Sequence, residues 1–434
     1  MLVLVIVLLA ACELLVNRYG YYNMRECARM AGKRKDFAMQ KSRLMLITNP
    51  GSSSRKYALY KGDNLVASLH FEFEDGGIIC TLKDGEDRKY PVELDIDRLD
   101  DAVGEIRGIL ERAELLSADA EIDAIIVRTV APGDYFTKDR LIDKAFLERL
   151  EEAQSNAPLH LPVVVKEIKH FMDGFPETKI VSVSDTSFHT TKPDVNQYYA
   201  IDKELADRYG IKRFGYHGLS VGSVANFMEE NGIMKEKVVV CHVGSGSSVS
   251  ALLNGKSFNN SMGYSPLEGV MMATRCGNID ASAVLAIKRN LGLDDMGVER
   301  YLNKETGLKG ASGFSDDMRE VEQARDAGNE RASFALELYA QRIVGQIGRM
   351  AAEMGGVDAL VFTATIGERG EGFRAEVLSY LGHLGFEVDE AANDGKVGEG
   401  YKLISKEDSK PVWVIKTNEF GQMVRQANGV LDLM

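Results

Sequence analysis

Two carboxylates stand shortly after the ends of apolar segments of the chain, where α/β proteins usually carry their binding groups. Asp185 follows the segment at residues 179–184, and Glu419 follows residues 412–415. Mg²⁺ in proteins keeps most of its water and takes one or two carboxylates together with phosphate oxygens. The two carboxylates therefore indicate a magnesium site beside bound phosphate. Each carboxylate alone is also compatible with a helix cap or a solvated turn.

Two arginines and one histidine are candidates for handling negative charge. Arg128 stands among Ile and Val residues, and Arg275 follows two Met, an Ala and a Thr. A buried guanidinium needs an anionic partner, so both arginines are candidate clamps for a carboxylate or a phosphate. His217 lies between a Tyr and a Gly before a predicted helix. It can donate to a developing negative charge, or it can be an ordinary hydrogen-bonded turn histidine.

A fourteen-residue pattern occurs twice in the chain. Residues 49–62 have the sequence NPGSSSRKYALYKG and residues 242–255 have HVGSGSSVSALLNG, so Gly, Ser, Ser, Ala, Leu and Gly recur at the same places. Each copy follows an apolar run, which predicts a strand, a Gly/Ser turn and a second strand. Small turn residues let the backbone approach a ligand, and turn N–H groups and Ser hydroxyls can donate to phosphate oxygens. One copy alone is typical of an ordinary turn, but the duplication favours two phosphate-binding hairpins.

Together these residues indicate phosphoryl transfer to an acidic oxygen. Such a reaction needs in-line placement of donor and acceptor and positive charge around the transferring group, with little covalent help from the protein. The arginines, the histidine, Mg²⁺ and the hairpin amides can supply that charge. A hydrolase of the Ser-His-Asp type is not indicated, because no GxSxG elbow follows a predicted strand.

The composition bounds the class of protein. A chain of 434 residues, 45% apolar and 27% charged, is typical of a soluble globular protein with two domains. The net charge of -13 argues against a nucleic-acid partner, since phosphate backbones require clustered Lys and Arg. Five cysteines without CxxC spacing indicate reduced thiols in a cytoplasm rather than a disulfide framework or a zinc site.

The N-terminal segment differs from the rest of the chain. Residues 1–12 are almost wholly apolar and end in Leu9-Ala-Ala-Cys12, which resembles a lipoprotein cleavage box, but no Lys or Arg precedes the run as in a signal peptide. The run is also too short to span a bilayer. Residues 17–43 then carry eight Lys or Arg against two acidic residues. We expect residues 1–43 to lie outside the fold of a cytoplasmic protein without a stable membrane partner, with lipid attachment at Cys12 as the alternative.

After residue 43, the spacing of apolar residues predicts strands interleaved with helices. Beyond the hairpins, helices are expected at residues 99–117, 138–155, 203–209, 221–231, 281–290 and 329–354, and strands at residues 68–73, 77–82, 124–130, 179–184 and 359–363. This alternation implies an α/β protein whose mixed sheets are covered by helices. The repeated hairpin adds the expectation of two related halves that face a cleft.

On these residues the chain resembles the acetokinase family, of the acetate and sugar kinase, Hsp70 and actin superfamily. From about residue 44 onward, the motifs stand in the family's order: NPGSSS from Asn49, APLH from Ala157, DTSFH from Asp185, GYHG from Gly215, HVGSG from His242, MGYSPLEG from Met262, TRCGNID from Thr274, SDDMR from Ser315, VFTA from Val361 and TNE from Thr417. The resemblance implies two related actin-like (RNase H-like, βββαβαβα) domains flanking a cleft. They would comprise residues 44–187 plus 420–434 and residues 188–419.

The resemblance also implies an activity and its partners. The family transfers a phosphoryl group reversibly from ATP to acetate, giving acetyl phosphate and ADP. Its members are homodimers that require Mg²⁺, with Mn²⁺ as a possible replacement. For this chain the implied partners are therefore acetate and ATP, or acetyl phosphate and ADP, together with a second copy of the chain.

Family roles carry over to matching residues on the acyl side. Two arginines hold acetate and the transferring phosphoryl group, a histidine stabilises the transition state, and an aspartate orients the active arginine. The matching residues are Arg128, Arg275, His217 and Asp185. The resemblance assigns the magnesium site to Asn49, Asp185 and Glu419. It assigns a further active-site histidine and the pocket for the acyl methyl group to His160, Val130, Leu159, Tyr216 and Pro266.

Family roles carry over to the phosphate and nucleotide side in the same way. Ser52, Ser54 and Lys56 match the first phosphate hairpin. The second hairpin and the adenosine pocket are matched by His242, Gly244, Ser245, Gly246, Asp317, Met318, Arg319, Thr365, Ile366 and Gly367.

Several positions depart from the family pattern. A histidine and a glycine are replaced by Ala131 and Pro132, a second histidine by Val221, a nucleotide-loop Asn by Ser245 and a Gly by Thr365. These departures leave three alternatives open. The phosphoryl donor can be inorganic diphosphate, the acceptor can be propionate or butyrate, or the chain can be a nucleotide-binding paralogue without catalysis.

Overall fold

The computed structural model describes residues 42–51, 54–74, 76–157, 161–395, 397–398 and 400–433. The segment expected to lie outside the fold, residues 1–43, is thus almost wholly outside the described residues. The compact unit that carries the fold spans Leu44–Met434. No helix in the described part of the chain has the length and apolar character that a membrane span requires.

The first sheet has eight strands: β1 Leu44–Pro50, β2 Ser54–Lys61, β3 Asn64–Glu74, β4 Gly77–Asp84, β5 Lys89–Tyr90, β6 Ala124–Thr129, β7 Arg140–Leu141 and β8 Lys179–Ser184. Their order across the sheet is β5-β4-β3-β2-β1-β6-β8-β7. β1 pairs antiparallel with β2 and parallel with β6, and β6 pairs parallel with β8. The carboxyl ends of β1, β6 and β8 therefore meet at one edge of the sheet, which is where Asn49, Arg128 and Asp185 lie.

The second sheet has six strands: β9 Lys237–Val243, β10 Ser247–Leu253, β11 Lys256–Asn260, β12 Ala359–Thr363, β13 Tyr401–Leu403 and β14 Val412–Ile415. Their order is β11-β10-β9-β12-β14-β13. The series β11-β10-β9-β12-β14 repeats the series β3-β2-β1-β6-β8, including the antiparallel hairpin and the parallel neighbours. The two hairpins of the sequence repeat thus occupy equivalent places in two related halves, as the sequence predicts.

Fourteen α-helices are present in the described residues: α1 Ala102–Arg112, α2 Lys144–Glu152, α3 Leu161–Gly174, α4 Lys203–Tyr209, α5 Gly218–Glu230, α6 Ala281–Leu291, α7 Asp295–Lys304, α8 Gly307–Ser312, α9 Met318–Asp326, α10 Glu330–Glu353, α11 Ala364–Arg369, α12 Glu371–Ser379, α13 Glu390–Asn393 and α14 Glu419–Leu431. Helices and sheets together confirm the predicted α/β class.

Alternate residues of the central strands face opposite helical layers, because successive side chains on a strand point to opposite faces of the sheet. In the first sheet Leu46 packs with α1, α2 and α3, whereas Met45 packs with α14. In the second sheet Val239 packs with α10 and α12, whereas Val238 packs with α5. Since α5 and α14 contact each other, these two helices form the layers between the sheets.

Two predicted helices are shorter than their apolar spacing suggests. The helix expected at residues 138–155 begins only at Lys144, because Arg140–Leu141 pairs as an edge strand with β8. Asp143 then caps α2 by accepting the N–H of Phe146 at 2.7 Å. The helix expected at residues 99–117 ends at Arg112, and Glu114 adopts a left-handed φ of 57° that an α-helix cannot contain.

The remaining predicted helices begin and end within three residues of their expected positions. The longest, α10, was expected at residues 329–354; Asn329 caps it by accepting the N–H of Ala332 at 3.0 Å. The predicted domain boundaries stay a prediction. All strands of the first sheet end before Asp185, those of the second lie within residues 237–415, and α14 returns to the first sheet.

Candidate active site

A cavity of about 320 Å³ lies at the carboxyl ends of the parallel strands of the first sheet and opposite the second hairpin. Its walls come from the first hairpin, the ends of β6 and β8, helix α3, the start of α5, the β9–β10 turn and two loops. The lining residues are Asn49, Pro50, Gly51, Arg128, Val130, Val164, Asp185, Tyr216, His217, Ser245, Gly246, Pro266 and Arg275. This cavity, named the catalytic cavity for the role that the sequence assigns to its residues, combines two arginines, one carboxylate, turn backbone and an apolar wall.

Arg128 is held by two carboxylates from different elements. Its Nη2 donates to Oδ1 of Asp185 at 3.0 Å, and its Nη1 lies 3.4 Å from Oε2 of Glu419. Burial by itself lowers the pKa of Arg128, but the charges of Asp185 and Glu419 outweigh it and raise the pKa above its usual value. Its buried Nε has no hydrogen-bond partner among the described residues. The guanidinium is therefore fixed and permanently charged, and its unpartnered Nε lies in the protein interior.

Asp185 orients the residues around it through both its side chain and its main chain. Its Oδ2 accepts the main-chain N–H of His217 at 2.8 Å, and its carbonyl accepts the N–H of Gly218 at 2.7 Å. A Cβ on Gly218 would lie 2.4 Å from that carbonyl oxygen, so only glycine fits. His217 itself has a left-handed φ of 59°, a conformation that concentrates at functional sites. One carboxylate thus sets the positions of both Arg128 and His217.

The ring of His217 is half-buried at the wall of the catalytic cavity, and its pKa is lowered. Its Nδ1 is 2.9 Å from the hydroxyl of Ser248, and its ring stacks on that of His242. Burial, followed by the neighbouring His242, Arg128 and Arg275, lowers the pKa of His217 well below the usual value. A Cβ on Gly246 would lie 3.2 Å from His217 Nε2, so this nitrogen faces the second hairpin. When Ser248 donates to Nδ1, Nε2 carries the proton and can donate into the cavity.

His242 supports His217 from behind. Its Nδ1 is 2.8 Å from the hydroxyl of Ser220, which in turn accepts from Thr417 at 2.9 Å. Burial, followed by the charge of Arg128, lowers the pKa of His242 to about 3. The sequence assigns His242 to the phosphate-binding turn of the second hairpin. In the structure His242 does not line the catalytic cavity but stacks on His217, which does.

Arg275 carries a charge that its described contacts do not neutralise. Its Nη1 donates to the main-chain oxygen of Pro266 at 3.2 Å and lies 3.5 Å from the sulfur of Met272. Burial lowers the pKa of Arg275. Since Arg128 has two carboxylate partners, Arg275 is the charge in the catalytic cavity that is free to meet an anionic ligand.

The apolar wall of the catalytic cavity is built on a small core of its own. Tyr216 packs with Phe214, Met262 and Met272, and Val130 lies against the same cluster. The hydroxyl of Tyr216 donates to the main-chain oxygen of Tyr264 at 2.7 Å, which keeps the ring in place. This wall offers a small apolar surface beside the two arginines.

A second cavity, of about 530 Å³, shares Ser245 with the catalytic cavity. Its lining residues are Ser245, Ala273, Leu308, Asp316, Asp317, Met318, Arg319, Glu322, Tyr339, Thr365, Ile366, Arg369 and Gly370. The structure therefore brings the start of α9 and the segment at residues 365–366 to one side of the second hairpin. Ala364, just before that segment, has a left-handed φ of 66°.

Not every residue assigned from the sequence lines a cavity. Ser54 and Lys56 lie on β2 and line neither one, and Lys56 is exposed. Gly244 and Gly367 line neither cavity either. A Cβ on Gly244 would lie 3.9 Å from the main-chain nitrogen of Thr365, so Gly244 lies close to the segment at residues 365–366. The predictions for Ser52, Leu159 and His160 fall outside the described residues.

Sequence reasoning missed Val164 as a lining residue. It belongs to α3, is almost completely buried and forms part of the helix's apolar stripe. A residue that faces a ligand cavity and one that faces the core have the same helical spacing, so the sequence carries no signal that separates them. Pro50 and Gly51 were missed as individual residues, although the hairpin motif that contains them was identified.

The departures from the family pattern have different locations. Ala131 and Val221 are buried in core clusters, and neither lines a described cavity. Ser245 and Thr365 do line the second cavity. The two family histidines are thus replaced by residues that pack in the core. The changes at Ser245 and Thr365, in contrast, lie where a ligand in the second cavity would contact them.

The donor set fits a magnesium ion held chiefly by phosphate and water. Asp185 and Glu419 contact the same guanidinium, and Asn49 lines the same cavity. Within the described residues no group of three or more His, Cys, Asp or Glu is arranged to hold an ion. Mg²⁺ does not need such a group, because one or two carboxylates and phosphate oxygens are enough.

Comparison with known proteins finds relatives over nearly all of the chain after residue 43. The sequence profile of the Acetokinase family matches residues 44–425. The acetate kinase of Clostridioides difficile is 38% identical over 388 residues, covering 86% of this chain and 96% of that protein. The acetate kinase of Thermoanaerobacter pseudethanolicus is 39% identical over 386 residues, again covering 86% and 96%.

Solved structures show the same likeness. The acetate kinase of Porphyromonas gingivalis superposes with a TM-score of 0.79 at 33% identity, covering 90% of this chain and 99% of that one. The propionate kinase of Francisella tularensis superposes with a TM-score of 0.80 at 33% identity, covering 88% and 98%. These likenesses confirm the predicted actin-like class of the fold.

Proposed function

The chain belongs to the acetokinase family and is a kinase, and we propose that it transfers a phosphoryl group reversibly from ATP to acetate, giving acetyl phosphate and ADP. The observation that carries this proposal is the junction of two cavities at Ser245. One cavity combines two arginines with a small apolar wall, which suits a short carboxylate. The other is larger and suits a nucleoside. A phosphate chain that runs past Ser245 would link them.

Acetate binds, in this proposal, with its carboxylate at Arg128 and Arg275 and its methyl group against Val130, Tyr216 and Pro266. Arg275 supplies the unneutralised charge, and Arg128 supplies a second, fixed charge at the wall of the same cavity. Propionate is a slower acceptor, because one extra methylene is discriminated by only about 1–3 kcal/mol.

The transfer step forms one P–O bond and breaks another. A carboxylate oxygen of acetate attacks the γ-phosphorus in line with the bond to ADP, and the electron pair of the broken bond stays on the ADP oxygen. Arg275 and the neutral Nε2–H of His217 stabilise the charge that spreads over the transferring group. Asp185 keeps Arg128 and His217 in place. Mg²⁺, held by Asn49 and Glu419 with Mn²⁺ as a substitute, would neutralise phosphate charge when bound.

Two alternative activities are less well supported. A diphosphate donor needs no nucleoside site, whereas the second cavity of about 530 Å³ offers one. A paralogue without catalysis was suggested by Ala131 and Val221, but both pack in the core, away from the catalytic cavity. The family comparisons favour neither alternative.

A homodimer is part of the proposal. Helix α6 has no buried residue although its sequence is mostly apolar. On and beside it, Leu285, Leu291 and Met296 are 54%, 55% and 53% exposed. Burying such side chains against a second copy is favourable at roughly 25 cal/mol per Å². We propose that the face formed by α6 and α7 meets the same face of a second copy.

A cytoplasmic location is also proposed. Cys80, Cys241 and Cys276 are free thiols, which supports a reducing compartment. Cys12 and Cys27, including the alternative lipid-attachment residue, lie outside the described residues.

A hydroxamate assay tests the proposal, because it detects acyl phosphate whatever the donor. Purified protein is given acetate and Mg²⁺ with ATP, GTP or diphosphate in parallel, and one ATP reaction contains EDTA. We expect product with ATP, loss of product with EDTA and recovery when excess Mg²⁺ or Mn²⁺ is added. Product with diphosphate alone would reassign the donor, and no product with any donor would favour the paralogue without catalysis.

A further inference from the structure

A buried arginine lies in the first hairpin, shortly after its turn. Arg55 is 2% exposed, although it stands between a Ser and a Lys in the sequence. Its Nη1 donates to the main-chain oxygen of Gly51, and its Nη2 donates to Oδ1 of Asp100 at 3.0 Å. Its Nε lies 3.3 Å from Oε2 of Glu167. One side chain therefore joins the turn of the hairpin to two carboxylates on the helical layer.

The partner Glu167 reaches the other strand of the same hairpin. It is 1% exposed on helix α3, and its Oε1 accepts the hydroxyl of Thr48 at 2.9 Å. Thr48 precedes Asn49 at the entrance to the turn, whereas Arg55 follows the turn at its exit. Both sides of the hairpin are thus tied to one carboxylate on α3.

Stability alone does not explain a buried ion pair. Desolvation of two charges offsets most of their attraction, and replacing such a pair by apolar residues of similar size is often neutral or stabilising. Removing a single partner is costly because it leaves the other charge buried and uncompensated. An ion pair that contributes little net stability and lies next to a cavity-lining turn therefore indicates a role in setting geometry.

The geometry concerned is that of the catalytic cavity. The residues at positions 49–51 line it from the hairpin, and Val164, three residues before Glu167 on α3, lines it from the helix. The ion pair therefore sets the distance between two walls of the cavity. Misplacing groups at a reacting centre by about 1 Å can cost roughly 100-fold in rate.

We propose that Arg55 and Glu167 are positioning residues that hold the turn at residues 49–51 against α3, so that its backbone and Asn49 meet the transferring phosphoryl group. This inference rests on the proposed function for its effect on catalysis, although not for its effect on the hairpin itself. Neither residue lines the catalytic cavity, so both act through the turn.

Three variants separate positioning from stability: Glu167→Gln, Arg55→Met and the double variant R55M/E167M. Each is assayed for thermal unfolding and for kcat and KM with acetate and ATP. We expect the single variants to lower both Tm and kcat, because each leaves the other member of the ion pair buried without its partner. The double variant should recover most of the Tm, since no buried charge is left alone, while its kcat stays at least tenfold below that of the wild type.

The control is the ion pair between Lys169, also on α3, and Glu151, whose charged atoms are 2.6 Å apart and half-exposed. The variant K169M/E151M removes a charge pair from the same helix away from the hairpin, and it should keep the wild-type kcat. A double variant R55M/E167M with recovered Tm and wild-type kcat would overturn the positioning role.

If the wild type makes no acyl phosphate, the proposed function fails. Hydrogen exchange still tests the positioning role in that case. Peptides that cover residues 44–56 should exchange faster in R55M/E167M than in the wild type, while peptides from the second sheet stay unchanged. Equal exchange of the hairpin peptides in both proteins would refute the inference whatever the activity is.

Discussion

The imidazole rings of His217 and His242 stack with centroids 3.9 Å apart and planes inclined by 24°. Desolvation disfavours the charged form of both rings, His242 being buried and His217 half-buried, and two imidazolium ions at that distance beside Arg128 would also repel each other. The pair is therefore kept neutral. A neutral His217 can donate a hydrogen bond to phosphoryl oxygens without first losing or gaining a proton.

This arrangement predicts how stability depends on pH. Both histidines have pKa values below the ordinary 6.5 in the folded chain, and that of His242 is about 3. Below about pH 6.5 the unfolded chain binds protons that the folded chain excludes. The stability that depends on a neutral His242 is therefore fully present above pH 6.5 and is lost as the pH falls from 6.5 toward 3, by about 1.4 kcal/mol per pH unit, and the lowered pKa of His217 acts in the same direction. Denaturant unfolding between pH 5 and 7 measures this slope.

The variant His242→Gln provides the comparison for that slope, since it should reduce the loss of stability between pH 6.5 and pH 5. The kcat profile should show no inflection near pH 6.5 from His217. An inflection there that disappears in His217→Asn would mean that the imidazolium forms in the working enzyme, against the neutral pair.

Replacing Arg275 should lower catalytic activity without lowering the stability of the fold. Its described contacts include no carboxylate, so Arg275→Ala leaves no stranded charge. We expect kcat/KM for acetate to fall at least 100-fold, because electrostatic stabilisation of the transferring group is lost, with Tm nearly unchanged. Arg128→Ala should abolish turnover and also lower Tm, because it leaves Asp185 and Glu419 unpaired.

Arg425→Ala is the matched control for both variants. This arginine forms a half-exposed ion pair with Glu230 on the surface, and such pairs contribute at most about 1 kcal/mol. Its activity and Tm should stay near those of the wild type. Retained turnover in Arg275→Ala would show that its assignment to the reaction is wrong.

Val164 should influence the choice of acyl group. It lines the catalytic cavity from α3, so Val164→Ala makes room for one further methylene. The ratio of kcat/KM for propionate to that for acetate should rise roughly 10- to 100-fold, given the about 1–3 kcal/mol by which a pocket discriminates a methylene. Steady-state kinetics with both acids measure the ratio.

Val165→Ala tests whether that effect is local. Val165 is the next residue of the same helix and is buried in the core without lining the catalytic cavity. This variant should lose a similar amount of stability and leave the acyl ratio unchanged. If both variants shifted the ratio equally, the change would come from loosening of α3 and not from the cavity wall.

The exposed apolar face of α6 and α7 should govern assembly. Leu285→Lys places a charge in the proposed interface, so we expect the molar mass from light scattering to change from dimer to monomer. Val195→Lys alters a residue that is 83% exposed outside that face, and it should remain a dimer. A monomeric wild type, or a dimeric Leu285→Lys variant, would contradict the proposed interface.

Several features of the fold were predictable from local patterns. The apolar spacing predicts α10 to within one residue at each end. The Gly/Ser repeat predicts two equivalent hairpins, because turn residues and strand alternation act over only a few positions. Arg128 was singled out because a lone guanidinium in an apolar strand must find anions, and it contacts two carboxylates.

The errors arose where distant segments compete for the same residues. Arg140–Leu141 follows helical spacing but pairs with β8, because an available strand edge outweighs local propensity. Arg55 gave no signal in the sequence, where an Arg beside a Lys is typical of the surface. Its burial depends on Glu167, more than a hundred positions away, and no local pattern records that contact.

The sequence by itself determined the two related halves, the strand-end carboxylates, the hairpins and the family, since each depends on residue types at short or fixed spacing. The tertiary structure alone decided which of these groups share a cavity, that Ser245 lies in both cavities, and that Val164, although part of the packed core, also lines the catalytic cavity. The physical reason is that a cavity is made by side chains from separate elements, and their distances are set only when the layers pack.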